Sequence, residues 1–354
     1  MWFTLRKRTV LVTVLALGLF AWFLSHANLT SVWAQVRRAR VDLLFLGFLA
    51  VVLTYVIRAW RWQYLLHPIG PTRFRTAFRT TVIGFAALGL LPARAGDVLR
   101  PYLLARQEGL SVSATLATIV MERVLDLVAV LALLAISVWG VGASTTTIPA
   151  ALLRTIEISA AIGALTALAL LGLMWVVATH PERIGDLVLT TGRVLPTRIA
   201  TKVSDFARKF SAGFAAARDP RALAMATAWS FPLWLTIATE AWLVTIAFGI
   251  VMPFTGTFLL QALIVIGVAV PTPGAVGSYH EAYRIGVTTF FGAAEDAAVA
   301  AAIVTHAISY VPVVLTGLIF MAQDGLSFGR LQSLAGTREV PDTDEMPVLR
   351  PSRR

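Results

Sequence analysis

Leu91-Pro92-Ala93-Arg94-Ala95-Gly96-Asp97 closes one apolar run, Ala77–Leu91, and Val270-Pro271-Thr272-Pro273-Gly274-Ala275-Val276-Gly277-Ser278 closes another, Phe258–Val270. A helix needs about 20 apolar residues to cross a bilayer core. These runs are shorter, and each stops at proline and glycine together. Proline and glycine end a helix, and backbone freed at membrane depth must lie within protein or line a wet cavity. Both stretches therefore read as re-entrant segments that enter the membrane and turn back.

Six longer apolar stretches surround them: Thr9–Leu24, Val41–Ile57, Thr115–Trp139, Arg154–Ala178, Ala222–Phe248 and Ala297–Met321. Over 354 residues, 57% are hydrophobic and 14% charged. A soluble domain carries about 25% charged residues. The fold class expected is an all-α polytopic membrane protein with about six full spans and two re-entrant broken-helix segments in an inverted repeat. The expected organisation is one transmembrane unit over residues 1–321, with a basic amphipathic segment at 179–221 and a polar, disordered tail at 322–354. A small-x-small pattern at Ser25-His26-Ala27 makes the first stretch a candidate for signal cleavage as well.

The net charge of +11 would suggest nucleic acid in a soluble protein. Here its distribution matters instead, because cytoplasmic loops collect lysine and arginine. With the N-terminus in the cytoplasm, Arg58, Arg61, Arg73, Arg75 and Arg79 face inward. So do Arg183 to Arg221 and the tail arginines. Arg37, Arg38 and Arg40 run against the pattern. The two broken segments then enter from opposite faces, and such pairs point to a transport site near the midplane. Ile199, Val203, Phe206, Phe210 and Phe214 recur at helical spacing among Lys202, Arg208 and Lys209. This marks a surface helix, lying on lipid or docked on the protein. Trp60 and Trp62 read as interface anchors.

Ionisable residues inside spans are costly and need partners. Glu122 and Asp126 share one helix face, so a cation must lie near or one must be protonated. Arg94, Asp97, Arg100, Glu122, Arg123 and Asp126 have zero formal charge together and are expected to form one buried network. Either the network only holds the re-entrant segment in place, or Arg94 or Arg100 exchanges its carboxylate for a substrate phosphate, which a guanidinium holds in a bidentate fork. At the second break Gly274, Gly277, Ser278 and Glu281 are the corresponding binding candidates, with Glu281 paired to Arg284 or carrying a proton. Glu240 and His306 stand alone in their spans. Cysteine is absent, and no metal set, cofactor motif or catalytic motif is read. An enzyme is therefore not expected, and no nucleic-acid partner is.

Arg58-Ala59-Trp60-Arg61-Trp62, Leu91 to Asp97, Met121-Glu122-Arg123-Val124-Leu125-Asp126 and Val270 to Gly277 occur in that order. Together they resemble the lysylphosphatidylglycerol synthase transmembrane-region family of flippase-like proteins. The resemblance implies a multi-pass protein of a bacterial or archaeal inner membrane, with both termini cytoplasmic. It implies translocation of an anionic phospholipid or a polyprenyl- or hopanoid-type lipid between leaflets. A membrane enzyme acting on a lipid phosphate, or a non-catalytic partner of lipid-synthesis enzymes, is the alternative. The chain is expected to depart from the family in carrying no soluble aminoacyl-transferase domain, and it has Ala275 where a second glycine is expected. The lipid, the direction of movement and the oligomeric state are not readable from sequence.

Overall fold

The computed structural model describes residues 14–91, 94–142, 150–191, 197–270 and 272–325. The expected tail beyond Gly325, residues 9–13 of the first expected span, Pro92, Pro271 and half of the Gly140–Leu153 loop lie outside the described residues. Within them the chain is helical throughout, with no strand.

The order is α1 (Val14–Leu24), α2 (Leu29–Arg38), α3 (Val41–Leu66), α4 (Phe74–Leu90), α5 (Gly96–Glu108), α6 (Val112–Gly142) and α7 (Ala150–Thr179), followed by α8 (Pro181–Thr191), α9 (Thr197–Gly213), α10 (Pro220–Ala247), α11 (Gly256–Ala269), α12 (Ser278–Phe291) and α13 (Glu295–Gln323). Among the described residues, four helices are long and apolar enough to cross a membrane singly: α3 extended to Ile69, most of α7, α10 and α13. The pair α1 and α2, bent by 79°, makes a fifth if taken as one span. The expected Thr115–Trp139 span falls within α6, an unbroken helix of 31 residues that carries Glu122, Arg123 and Asp126 in its middle third. The α7 face bearing Ile158, Ile162, Leu165 and Leu168 is more than half exposed. That face suits hydrocarbon rather than water.

Both short apolar runs turn back. Helices α4 and α5 pack as a hairpin, and so do α11 and α12. At about 1.5 Å per residue, the 17 residues of α4 and the 14 of α11 fall short of a bilayer core. Both returning helices end on a left-handed glycine, Gly109 and Gly292, which supplies the C-terminal cap.

The packing has an internal symmetry. Exchange α3 with α10, α4 with α11, α5 with α12 and α6 with α13, and the partnerships map onto themselves. Helix α4 packs on α13 as α11 packs on α6, and α5 meets α6 as α12 meets α13. Helices α3 and α10 pack on each other and run antiparallel: Gly47 lies by Val244, Thr54 bonds Thr236, and Trp60 stacks on Trp229. The symmetry extends to the surface helices. Asn28, which caps α2, donates its N–H to Asp296 at the start of α13. Gly213, ending α9, lies against Ala114 and Ala117 at the start of α6.

That placement accounts for Arg37 and Arg38, the charges that ran against the topology. They sit in the last turn of α2, where the helix dipole favours cations. Helix α9 docks through the buried Phe214 and the partly buried Phe210, while Ile199, Val203 and Phe206 stay exposed. The end of the segment is thus docked on the protein. Helix α1 contributes the fully buried Phe23 to the core beside α12 and α13.

Close approach within each hairpin depends on one glycine of the inbound helix. A Cβ on Gly84 would stand 2.6 Å from Arg100 Cβ, and one on Gly267 would stand 2.8 Å from Ser278 O. Gly172, on α7, has nothing within 4 Å. Overpacking a tight contact costs about 1–3 kcal/mol. Gly84→Val should therefore lower the thermal midpoint of the detergent-solubilised protein in size-exclusion assays, whereas Gly172→Val should leave it in place.

Candidate functional site

The second predicted span, Val41–Ile57, continues without a break through Arg58, Arg61 and Trp62 to Leu66. Arg58 and Arg61 are three residues apart and share the face turned toward α6. Both are buried, Arg61 completely. They are no cytoplasmic loop charges. Trp62 is no interface anchor either: it is fully buried, and its indole N–H donates to Thr118 Oγ1 at 2.9 Å. Trp60, on the opposite side, is exposed and stacks on Trp229.

Glu122 of α6 is fully buried at the centre of three guanidinium groups. Arg100 Nη1 donates to both of its oxygens, at 3.0 and 3.1 Å. Arg61 Nη2 lies 3.4 Å and Arg58 Nη1 3.5 Å from Oε1. Arg61 also resolves the problem of two carboxylates on one helix face. Its Nη1 donates to Asp126 Oδ1 at 2.6 Å and to Ser230 Oγ at 2.8 Å. One side chain thus bridges Glu122 and Asp126, and Trp234 Nε1 adds a hydrogen bond to Asp126 Oδ1. Aromatic faces hold the other two arginines. Arg100 Cζ lies 3.9 Å from the Trp62 ring centroid, and Arg58 Cζ lies 4.6 Å from that of Phe85. Such contacts are worth roughly 2 kcal/mol when desolvated.

Toward the tip of the α4–α5 hairpin the network becomes accessible. Asp97 accepts from Arg94 Nε at 3.1 Å and from Arg123 Nη2 at 2.7 Å. The Arg94 side chain is 45% exposed and that of Arg123 38%. The six residues expected to meet do lie in one region, but Arg94 is an outer member rather than a buried one. With Arg58 and Arg61 included, five arginines face three carboxylates, Asp97, Glu122 and Asp126. Charge balance was expected, and two positive charges are left over. Arg58 Nε, Arg61 Nε and Nη2, and Arg100 Nε and Nη2 are buried without a hydrogen-bond acceptor.

The second break stays apart from this cluster. Gly274, Gly277 and Ser278 form the tip of the α11–α12 hairpin. Gly277 is pressed against α1, so that a Cβ there would stand 2.8 Å from Phe20 N. Ser278 Oγ lies 3.1 Å from Thr272 Oγ1. Glu281 binds Arg284 through two hydrogen bonds, at 2.6 and 2.9 Å, and Arg284 also binds Glu295. His306 Nε2 reaches Gly274 O at 2.9 Å, and its ring lies beside those of Tyr279, His280 and Tyr310. The tip touches the other half at Gly89, whose carbonyl would be 3.3 Å from a Cβ on Gly274.

The two tips share an unusual backbone. Arg94 and Ala275, each two residues before the glycine that ends its break, have φ of 55°. Among the described residues they are the only non-glycine residues with positive φ. Ala275 therefore adopts the left-handed conformation for which a glycine was expected.

Residues 9–317 match the family model described as the lysylphosphatidylglycerol synthase TM region. A protein of Haloferax volcanii named glycosyltransferase AglD is 23% identical over 335 residues, which cover 87% of this chain and 53% of that protein. A UPF0104 membrane protein of Methanocaldococcus jannaschii, MJ1595, is 24% identical over 123 residues, 34% of this chain and 36% of its own. The chain thus spans about half the length of the first relative and about a third of the second.

Removing one partner of a buried ion pair costs about 3–5 kcal/mol. Arg61→Ala should therefore collapse the thermal midpoint, since it strips a partner from Glu122 and Asp126 together. Arg40→Ala, in an ion pair with Asp42 whose side chains are 65% and 61% exposed, should leave that midpoint nearly unchanged.

Proposed function

The chain belongs to the lysylphosphatidylglycerol synthase transmembrane-region family, and from that membership and the arginine cluster we propose that it moves an anionic lipid between the leaflets of a bacterial or archaeal inner membrane, with both termini cytoplasmic. The observation that carries this reading is the surplus of guanidinium over carboxylate within the helical bundle. Five arginines against three acids leave room for an anion of up to two negative charges. A lipid phosphate has that charge and the oxygen geometry that guanidinium groups fork around.

Arg94 and Arg123 make the first contact, because each is part-exposed and Asp97 is held between them. The phosphate displaces Asp97 and then meets the unused N–H groups of Arg100 and Arg58. Glu122 keeps the three buried arginines from repelling one another throughout. The lipid tails remain in the bilayer against exposed apolar faces such as that of α7.

The test is reconstitution into liposomes carrying traces of fluorescent phosphatidylglycerol, its lysyl form or a polyprenyl phosphate. A membrane-impermeant reductant then reports the fraction reaching the outer leaflet. For one lipid class, quenching should pass the outer-leaflet half. A charge-assisted hydrogen bond contributes about 1.5–3 kcal/mol, so Arg94→Ala and Arg100→Ala should each slow the excess phase by roughly tenfold or more. Equal rates in the wild type and both variants would refute the phosphate contact. Chemical turnover of the lipid by the purified protein would favour the enzyme reading instead.

A further inference from the structure

Glu240 is the buried acid that the arginine cluster does not reach. It lies on α10, the symmetry counterpart of the helix that supplies Arg58 and Arg61, and is only 4% exposed. Ser309 Oγ of α13 donates to its Oε1 at 3.0 Å. Among the described residues no cationic nitrogen comes within the 4.0 Å of an ion pair.

The ionisable groups around it are few. Helix α3 brings Tyr55, whose ring meets that of Phe85. Arg58 itself is committed to Glu122 and to the Phe85 ring. Helix α12 brings Tyr283, hydrogen-bonded to Thr245 of α10, with Tyr279 and then His280 beside it. Helix α13 brings His306 and Tyr310 on either side of Ser309. Helix α6 meets α10 through Asp126 at Trp234, nearly two turns away, where Arg61 neutralises it. Helix α11 holds no ionisable residue.

An ionised carboxylate in such surroundings carries a desolvation cost of several kcal/mol with no counterion to offset it. A neutral acid fits the geometry. Its Oε1 accepts from Ser309.

We propose that Glu240 is a proton-binding site that couples lipid movement to a proton gradient, an inference that rests on the lipid-moving reading above. The step is a simple exchange: the carboxylate takes a proton from hydronium on one face, leaving water, and returns it to water on the other. Ionisation of Glu240 places a negative charge opposite α3, where the nearest buried cations are those that would hold the lipid anion. That charge stands unpaired in the seam of α10 with α3, the helix that carries Arg58 and Arg61, so loss of the proton bears on the packing of the helix that holds the lipid anion.

Two measurements on the full chain test this. In infrared difference spectra between low and high pH, the wild type should show a protonated-carboxyl band that Glu240→Gln lacks and that Glu157→Gln, an exposed site on α7, retains. In proteoliposomes a pH step of one unit should shift the leaflet ratio of the transported lipid about tenfold if one proton accompanies each lipid. Glu240→Gln should abolish that shift, and Ser309→Ala should move the pH midpoint of the infrared band. An unchanged band in Glu240→Gln, a full pH response in that variant, or lipid movement that follows sodium and ignores pH would each overturn the proposal. Absence of lipid movement in the wild type defeats the lipid-moving reading and the coupling with it. The infrared band then still decides by itself whether Glu240 binds a proton.

Discussion

A carboxylate with no access to water, Glu122, sits within reach of three guanidinium groups contributed by two other helices. The arrangement constrains the rest of the first half. An isolated carboxylate at that depth would be forced to neutralise, and three arginines packed without it would repel one another. Neither α3, α5 nor α6 can carry its charges in hydrocarbon alone. Each becomes tolerable only when the three are assembled. The α4–α5 hairpin, too short to be a stable span, is thereby tied to two long helices by charge as well as by apolar packing.

The same constraint explains why the cluster is a plausible place for chemistry with anions. Bridging by Arg61 and stacking on Trp62 and Phe85 fix the guanidinium planes before any ligand arrives. Several of their N–H groups have no acceptor. Preorganised donors in a site of low dielectric attract an anion strongly, because the cost of ordering them has already been met in folding. Asp97, shared by two part-exposed arginines, occupies the position that a mobile anion could take.

Much of this was legible in the sequence. The two hairpins were, because an apolar run too short to span and ended by proline with glycine has few other physical solutions. The meeting of Asp97, Arg100, Glu122, Arg123 and Asp126 was legible too, since charges at span depth must find one another. Arg58 and Arg61 were missed because an apolar window ends where charge begins, at Ile57. The signal that could have found them is the unbroken apolar and aromatic pattern beyond, through Trp62, Leu65 and Leu66, combined with the two bare acids of α6 that still needed a cation. The contact between Gly274 and Gly89 had no local signal at all. It joins residues from opposite halves of the chain, and no periodicity encodes such a pair. Ala275 shows the opposite limit: surrounding structure holds a residue in a conformation that its own preferences disfavour, at a cost of about 1–3 kcal/mol.

The reciprocal packing of α13 on α4 and of α6 on α11 means that each hairpin is gripped by the final helix of the other half. Such a clasp has a mechanical meaning. Neither hairpin has an independent pivot, so a tilt of one is transmitted as a load on the helix that closes its counterpart. The antiparallel seam of α3 and α10 joins the two clasps, so a load on one hairpin is carried across that seam to the other.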